Sequence, residues 1–158
     1  MSLFNVGFVI FPELTQLDFT DPQQVLARLP QSAMHIIAKT TDPVPSDSGL
    51  SLVPTHTFQN SPRLDLICIP GGNRGVVQAL GDRETIDFVR RQSSGARYVT
   101  LVCTGAFILG VAGLLKGRRA TVAGASTQFY VEQRLGAPAV PPCCGSTCRR
   151  SRWPMGFR

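Results

Sequence analysis

The chain has 158 residues, the length of a single domain, and 43% of them are hydrophobic, which is enough for a buried core. Its net charge of +6 is concentrated after Pro138, where four arginines and no acidic residue occur, so the preceding part carries only +2. A nearly neutral body does not favour a nucleic-acid partner. The first residues lack the pattern of a signal peptide, so we expect a cytoplasmic protein.

The beginning of the chain alternates strand and helix. Residues 4–11 predict a strongly apolar strand, and residues 33–38 predict a second one. Between them, Pro22 suits the first position of a helix, with Thr20 or Asp21 as its cap. The pattern is that of a strand–helix–strand unit.

The middle of the chain continues this alternation. Residues 42–62, rich in Pro, Ser, Asp and Thr, predict a short hairpin or an excursion at the sheet edge. Residues 64–69 predict a core strand, followed by helices at about 76–80 and from Asp82 onward. Strands and helices that alternate with short turns indicate an open parallel α/β sheet.

Residues 98–115 carry no charge, and the rest of the chain is organised around them. Residues 98–102 predict a buried strand, and a helix follows Cys103 as far as a stop at residues 116–117. A membrane span is the alternative, but a span needs about 20 apolar residues and this run contains two Thr and three Gly. We therefore expect no membrane partner.

Three chemically distinctive features follow the predicted strands. Asp18 comes after the first strand and Cys103 after the fourth, while Gly71 and Gly72 come after the third. Ligands of open α/β sheets bind outside the carboxyl ends of the strands. These residues are therefore expected to converge on a site for a small-molecule substrate.

Cys103 is the candidate nucleophile. Gly105 is small enough for the sharp strand-to-helix bend that lifts a reactive side chain above a sheet, and Thr104 can cap the helix. The N-terminus of that helix favours a thiolate. The alternative is a cysteine that is only a small buried hydrophobe, which is the role we expect for Cys68 in the middle of its strand.

The other candidates supply protons and hydrogen bonds. Asp18 stands among apolar residues, so burial would raise the pKa of its carboxyl group and suit it to proton transfer; a helix cap is the alternative. The N–H groups of Gly71 and Gly72 can approach an anion closely, or these residues form only a turn. Thr104 offers an N–H and a hydroxyl as a second donor to that anion.

Several stretches of this sequence resemble the DJ-1/PfpI superfamily, and within it the isonitrile hydratase branch. The similarity extends almost continuously over residues 3–121. The stretches that carry it are FVIFP at 8–12, QLDFT at 16–20, DLICIPGG at 65–72 and ARYVTLVCTG at 96–105.

The resemblance implies a flavodoxin-like sheet with helices on both faces, a homodimer, and no metal or organic cofactor. In the isonitrile hydratase branch, water adds to R–N≡C and gives an N-substituted formamide. By this resemblance, Cys103 would attack the isonitrile carbon, and Asp18 would protonate that carbon and then activate water. Thr104 would position the reactants, and the amides of Gly71 and Gly72 would stabilise the developing charge.

The resemblance ends in the last part of the chain. Residues 119–123 predict a strand and residues 127–135 a helix, but Val122–Gly124 replaces the family's His-Trp type segment, and its later elements are missing. We therefore expect an incomplete DJ-1/PfpI-like domain at 1–137 and a Cys-, Arg- and Pro-rich tail at 138–158. The tail has the composition of a disordered extension or of sequence read out of frame, and its three cysteines lack the second ligand pair of a metal site.

Two other functions compete with hydration of an isonitrile. The first is a glyoxalase- or amidase-like enzyme that uses the same cysteine, which activity on methylglyoxal would indicate. The second is a fragment without catalysis that serves as a sensor or dimerisation module, because domains of this superfamily also occur as sensor halves of transcription regulators. The cysteine at the predicted turn favours an enzyme.

Overall fold

The computed structural model describes residues 3–118 of the chain. The strand and helix predicted at 119–123 and 127–135, and the tail at 138–158, lie outside the described residues. The described elements follow in the order β1 (Phe4–Val9), α1 (Gln16–Leu26), β2 (Ser32–Ala38), β3 (Val44–Pro45), β4 (Ser51–Leu52), β5 (His56–Thr57), β6 (Leu66–Ile69), α2 (Arg74–Gly81), α3 (Arg83–Gly95), β7 (Tyr98–Leu101) and α4 (Gly105–Val111).

Five of these strands form a parallel sheet in the order β5-β2-β1-β6-β7. β1 lies at its centre because its side chains are apolar and can be buried on both faces, as Val6, Phe8 and Val9 are. β3 and β4 form a separate antiparallel hairpin in which Val44 pairs with Leu52. The predicted flavodoxin-like fold class is therefore confirmed.

α1 is fixed against one face of the sheet. The register pairs Phe8 of β1 with Cys68 of β6, and Cys68 with Thr100 of β7, so these three side chains share one face. On that face, Phe19 of α1 packs edge-on against Phe8, with ring centroids 5.6 Å apart. Since Asp18 precedes Phe19 in the chain, the same packing fixes the helical turn that carries the carboxyl group. α2, α3 and α4 pack against one another.

α1 begins earlier than the sequence predicts. Pro22 lies within the helix instead of at its first position. Thr15, with extended backbone, is the N-cap residue, and its hydroxyl donates to Asp47 of the hairpin over 2.8 Å. The prediction that Thr20 or Asp21 caps this helix is therefore wrong, because a contact from a distant segment of the chain sets where the helix starts.

α4 ends at Val111, before the predicted stop at residues 116–117. Gly113 has a left-handed backbone with φ of +77°, which glycine adopts without steric cost and which often follows a helix. The stretch 98–115 thus contains a strand, a turn and a short helix, as expected, instead of the membrane span considered as the alternative. No helix in the described part of the chain is long and apolar enough to cross a membrane.

Candidate active site

The turn at residues 102–105, which we call the elbow, places Cys103 at the carboxyl edge of the sheet. Val102 donates its backbone N–H to the carbonyl of Ile69 over 2.9 Å, which continues the pairing of β7 with β6. Cys103 then has φ of +49°, a left-handed value that is uncommon for a residue with a Cβ atom. Its side chain is exposed, so the turn presents the thiol to solvent.

Gly105 allows the elbow to lie directly against the neighbouring strand end. A Cβ atom at this position would be 2.5 Å from the carbonyl oxygen of Ile69 and 2.8 Å from that of Pro70. Only glycine permits such an approach. The backbone of Cys103 is therefore held in a conformation that costs about 1–3 kcal/mol, and strain of this kind concentrates at functional sites.

Asp18 lies in the first turn of α1, beside the elbow. Its Oδ2 accepts the backbone N–H of Gly71 over 3.2 Å, and its carboxyl group interacts with the thiol of Cys103. The structure thus places the candidate acid and the candidate nucleophile close enough to influence each other. Asp18 is not the N-cap residue of α1, because Thr15 holds that position.

Burial raises the pKa of Asp18 above its ordinary value, because removal from water disfavours the carboxylate form. The hydrogen bond from Gly71 stabilises the carboxylate and opposes this rise, and the interaction with Cys103 does the same. The negative charge of Asp47 adds to the rise. The balance is a raised pKa, so Asp18 keeps its proton to higher pH than an exposed aspartate does.

Thr104 joins the elbow to the turn at Gly71 and Gly72 after β6, which we call the glycine turn. Its Oγ1 accepts the N–H of Gly72 and donates its own proton to the carbonyl oxygen of Gly72, each over 2.9 Å. Thr104 occupies the N-cap position of α4, as predicted, but its side chain makes no capping bond there. The N–H groups of Gly71 and Gly72 already have protein partners, Asp18 and Thr104.

Gly71 is in contact with both side chains that hold the site together. A Cβ atom at Gly71 would lie 2.5 Å from Oδ2 of Asp18 and 2.8 Å from Oγ1 of Thr104. These distances are shorter than any ordinary contact, so a larger residue would displace one of the two groups. The glycine turn therefore sets the separation between α1 and the elbow.

Cys68 has a different environment one strand away. It is 2% exposed in the middle of β6. Burial raises the pKa of its thiol to about 11, and a hydrogen bond with Thr100 partly opposes this rise. The charge of Asp18 also raises this pKa. Cys68 is thus a buried thiol, as the sequence predicts from its place in the strand.

Comparison with known proteins identifies the family. The sequence matches the DJ-1/PfpI family over residues 5–134. The chain belongs to the DJ-1/PfpI family. The resemblance drawn from the sequence is therefore confirmed.

Relatives within the DJ-1/PfpI family include an isonitrile hydratase. This protein of Pseudomonas putida is 53% identical over 117 residues, which are 74% of this chain and 51% of the relative. A THiJ/PfpI family protein from Pseudomonas syringae has a crystal structure that matches with a TM-score of 0.75 and 41% identity, over 77% of this chain and 51% of that one. The chain thus spans about half the length of both relatives.

A regulator is also similar to this DJ-1/PfpI chain. An HTH-type transcriptional regulator of Pseudomonas aeruginosa is 26% identical over 119 residues, which are 72% of this chain and 32% of the regulator. The similar region is therefore shared by a protein named as an enzyme and by a protein named as a regulator.

The sequence did not indicate that Asp47 belongs beside this DJ-1/PfpI site. Residues 42–62 have turn composition, which predicted a short hairpin or an excursion at the sheet edge, and the hairpin of β3 and β4 lies within that range. The partner of Asp47, Thr15, is 32 positions away in the chain. No local pattern reports a contact over that separation.

Metal ligands do not cluster in the described residues. Between residues 3 and 118, no group of three or more His, Cys, Asp or Glu side chains is placed to hold a metal ion. The three cysteines of the tail lie outside this range.

Proposed function

We propose that the chain carries the catalytic centre of an isonitrile hydratase, which adds water to an isonitrile and gives an N-substituted formamide. The observation that carries this proposal is the exposed Cys103, held at φ of +49°, whose thiol interacts with the carboxyl group of Asp18. The name of the Pseudomonas putida relative supports the choice of substrate class.

The first half of the reaction joins sulfur to carbon. The thiol of Cys103 releases its proton to solvent, its Sγ forms a bond to the terminal carbon of R–N≡C, and that carbon receives a proton from Asp18. The product is a thioimidate, R–N=CH–S–Cys, in which one carbon–nitrogen π bond has been replaced by C–S and C–H bonds. Asp18 is left as a carboxylate and can serve as a base.

The second half releases the product. Asp18 takes a proton from water as the water oxygen bonds to the thioimidate carbon, and the nitrogen takes up from solvent the equivalent of the proton that the thiol released. The C–S bond then breaks, the tetrahedral centre collapses to the formamide R–NH–CHO, and its hydroxyl proton passes to the sulfur of Cys103. The sum is one isonitrile plus one water, with no change of redox state and no cofactor.

The raised pKa of Asp18 suits this cycle. A carboxyl group that stays protonated above its ordinary range is available as an acid at pH values where an exposed aspartate is already ionised. Asp18 also interacts with the thiol of Cys103, the group that must lose a proton first.

Thr104, Gly71 and Gly72 support these two residues. Because the Gly71 N–H donates to Asp18 and the Gly72 N–H donates to Thr104, the amides position the side chains that act. Stabilisation of substrate charge by either amide would require exchange of one of these bonds. The homodimer implied by the family resemblance, and a cytoplasmic location, remain predictions.

A sensor domain of a transcription regulator is the second candidate. It is favoured by the similarity to the Pseudomonas aeruginosa regulator over 72% of this chain. A sensor needs a ligand but no turnover, so the two functions differ in whether product accumulates beyond one equivalent of protein.

Formation of formamide from a small alkyl isonitrile, followed by proton NMR with the full chain, tests the proposal. We expect many turnovers per chain and none with Cys103→Ala. The matched control is Cys68→Ala, which removes the same thiol from the buried strand and should keep activity. Absence of turnover in the wild-type chain would contradict the proposal, and turnover of methylglyoxal instead would favour a glyoxalase-like enzyme.

A further inference from the structure

The hairpin of β3 and β4 holds the loop that leads into α1. Asp47 accepts a hydrogen bond from the hydroxyl of Thr15 through Oδ2 over 2.8 Å, and one from the backbone N–H of Gln16 through Oδ1 over 3.4 Å. Thr15 is the N-cap residue of α1 and makes no capping bond with its own side chain. The carboxylate of Asp47 therefore takes the place of a local cap at a helix N-terminus, where negative charge is favoured.

The same loop touches the glycine turn from its other side. The N–H of Thr15 donates to the carbonyl of Gly71 over 3.0 Å. A Cβ atom at Gly72 would lie 2.9 Å from the carbonyl oxygen of Glu13 and 3.1 Å from the backbone N of Thr15. The loop is thus packed between the hairpin and the turn that holds Asp18, with no room to shift independently of either.

We propose that Asp47 is a positioning residue for the Asp18–Cys103 pair: from the hairpin, its carboxylate holds the first turn of the helix that carries Asp18. The inference rests on the proposed function for its kinetic consequences, but its structural content does not depend on which substrate reacts.

The charge of Asp47 gives this contact a second effect. A negative charge near a carboxyl group disfavours ionisation of that group, and Asp47 contributes in this way to the raised pKa of Asp18. Within residues 3–118, the other titratable groups that interact with Asp18 are the thiol of Cys103, from the elbow, and the thiol of Cys68, from β6. Asp47 is thus the acidic side chain that acts on Asp18 from the hairpin.

The side chain of Asp47 can be changed without removing the hairpin. The backbone N–H of Asp47 donates to the carbonyl of Leu14 over 3.0 Å, and the N–H of Glu13 donates to the carbonyl of Pro45 over 2.8 Å. Leu14 also forms an isolated parallel bridge with Ser46. These backbone contacts remain in Asp47→Asn, which removes the charge and keeps the shape.

The test is a titration of the Asp18 carboxyl group in the full chain by carbon-13 NMR, with the resonance assigned by its loss in Asp18→Asn. We expect the midpoint to move to lower pH in Asp47→Asn at low ionic strength, and to move less in high salt, which screens the charge. The matched control is Asp42→Asn, a change of equal charge in the same segment. Asp42 accepts a hydrogen bond from Thr40, and that contact does not reach the loop before α1. A purely structural role of Asp47 would lower the melting temperature and leave the midpoint in place.

A second variant tests the hydrogen bond separately from the charge. Thr15→Val removes the hydroxyl that donates a hydrogen bond to Asp47. We expect kcat for isonitrile hydration to fall by about tenfold with KM little changed, since misplacement of a catalytic group affects the chemical step. A midpoint for Asp18 in Asp47→Asn that equals the wild-type midpoint would overturn the proposal. Absence of hydration in all chains would contradict the proposed function alone, because the NMR titration does not need a substrate.

Discussion

The middle of the sheet and its carboxyl edge each hold one of the cysteines at residues 68 and 103, and the two thiols have opposite environments. Cys68 lies within β6, shares a face with Phe8 and Thr100, and is almost completely buried. Cys103 lies just past the end of β7, is exposed, and has a left-handed backbone. The comparison shows that a thiol within a strand of this sheet is buried in the core, whereas a thiol just after a strand end is exposed and can act as a nucleophile.

The two regions also use glycine differently. Within β1, a Cβ atom at Gly7 would collide with the Cδ1 atom of Leu64, a flexible side chain of the core. At the edge, a Cβ atom at Gly71 would collide with Asp18 and Thr104, which belong to the candidate site. Gly7 therefore allows a core side chain to pack against β1, and Gly71 allows Asp18 and Thr104 of the candidate site to approach each other.

The largest expected effect is the difference between removing the thiol of Cys103 and removing that of Cys68. Cys103→Ala should lower kcat/KM for isonitrile hydration by at least about 10⁴-fold, because the covalent step loses its nucleophile. Cys68→Ala should keep activity and lower the free energy of unfolding by about 1 kcal/mol, as expected for a small buried group. Initial rates and urea unfolding of both variants measure this, and equal losses of activity would break the comparison.

Replacement of the acid should have the next largest effect. Asp18→Asn should lower kcat by about 10²–10³-fold, since the amide cannot transfer a proton. An exposed aspartate has a pKa of about 3.9. In the wild-type chain, activity that requires protonated Asp18 should persist above that pH and fall as pH rises through the raised pKa of Asp18. If the pH profiles of kcat/KM for the wild type and for Asp18→Asn had the same shape, titration of Asp18 would not control the reaction.

The stability of the same variant follows from the sign of the pKa shift. Because the folded state raises the pKa of Asp18, it binds the proton more tightly than the unfolded state does. The stabilisation is complete below the unfolded pKa and is lost as pH rises through the folded pKa. At neutral pH, Asp18→Asn should therefore have a melting temperature at or above that of the wild type, and a markedly lower value would contradict this account of its burial.

The smallest expected effect separates the two glycines. Gly71→Ala should lower kcat/KM by about tenfold, because a methyl group there displaces Asp18 or Thr104. Gly7→Ala should lower the free energy of unfolding by about 1–3 kcal/mol through overpacking against Leu64, with little change in kcat for the folded fraction. Kinetics and denaturant unfolding on both variants check this, and a Gly7→Ala chain with the larger loss of kcat would reverse the comparison.

The sequence predicted those parts of the site that depend on local pattern. Apolar runs placed the strands, and the small residues after them placed the turns at Gly71 and Cys103 at the carboxyl edge. The start of α1 was predicted wrongly because Asp47, far away in sequence, interacts with Thr15. The partners of the Gly71 and Gly72 amides were equally hidden, because they depend on side chains from two other elements. Local chemistry therefore identified the candidate residues, and the tertiary structure determined which of them touch.

The most direct test of the central claim is inactivation of the wild-type chain by graded alkylation, with each cysteine quantified by peptide mass spectrometry and isonitrile hydration measured on the same samples. We predict that the fraction of activity lost equals the fraction of Cys103 alkylated, while Cys68 stays unmodified in the folded chain. Activity that survives complete alkylation of Cys103, or that falls in step with a different cysteine, would contradict the assignment of Cys103 as the nucleophile.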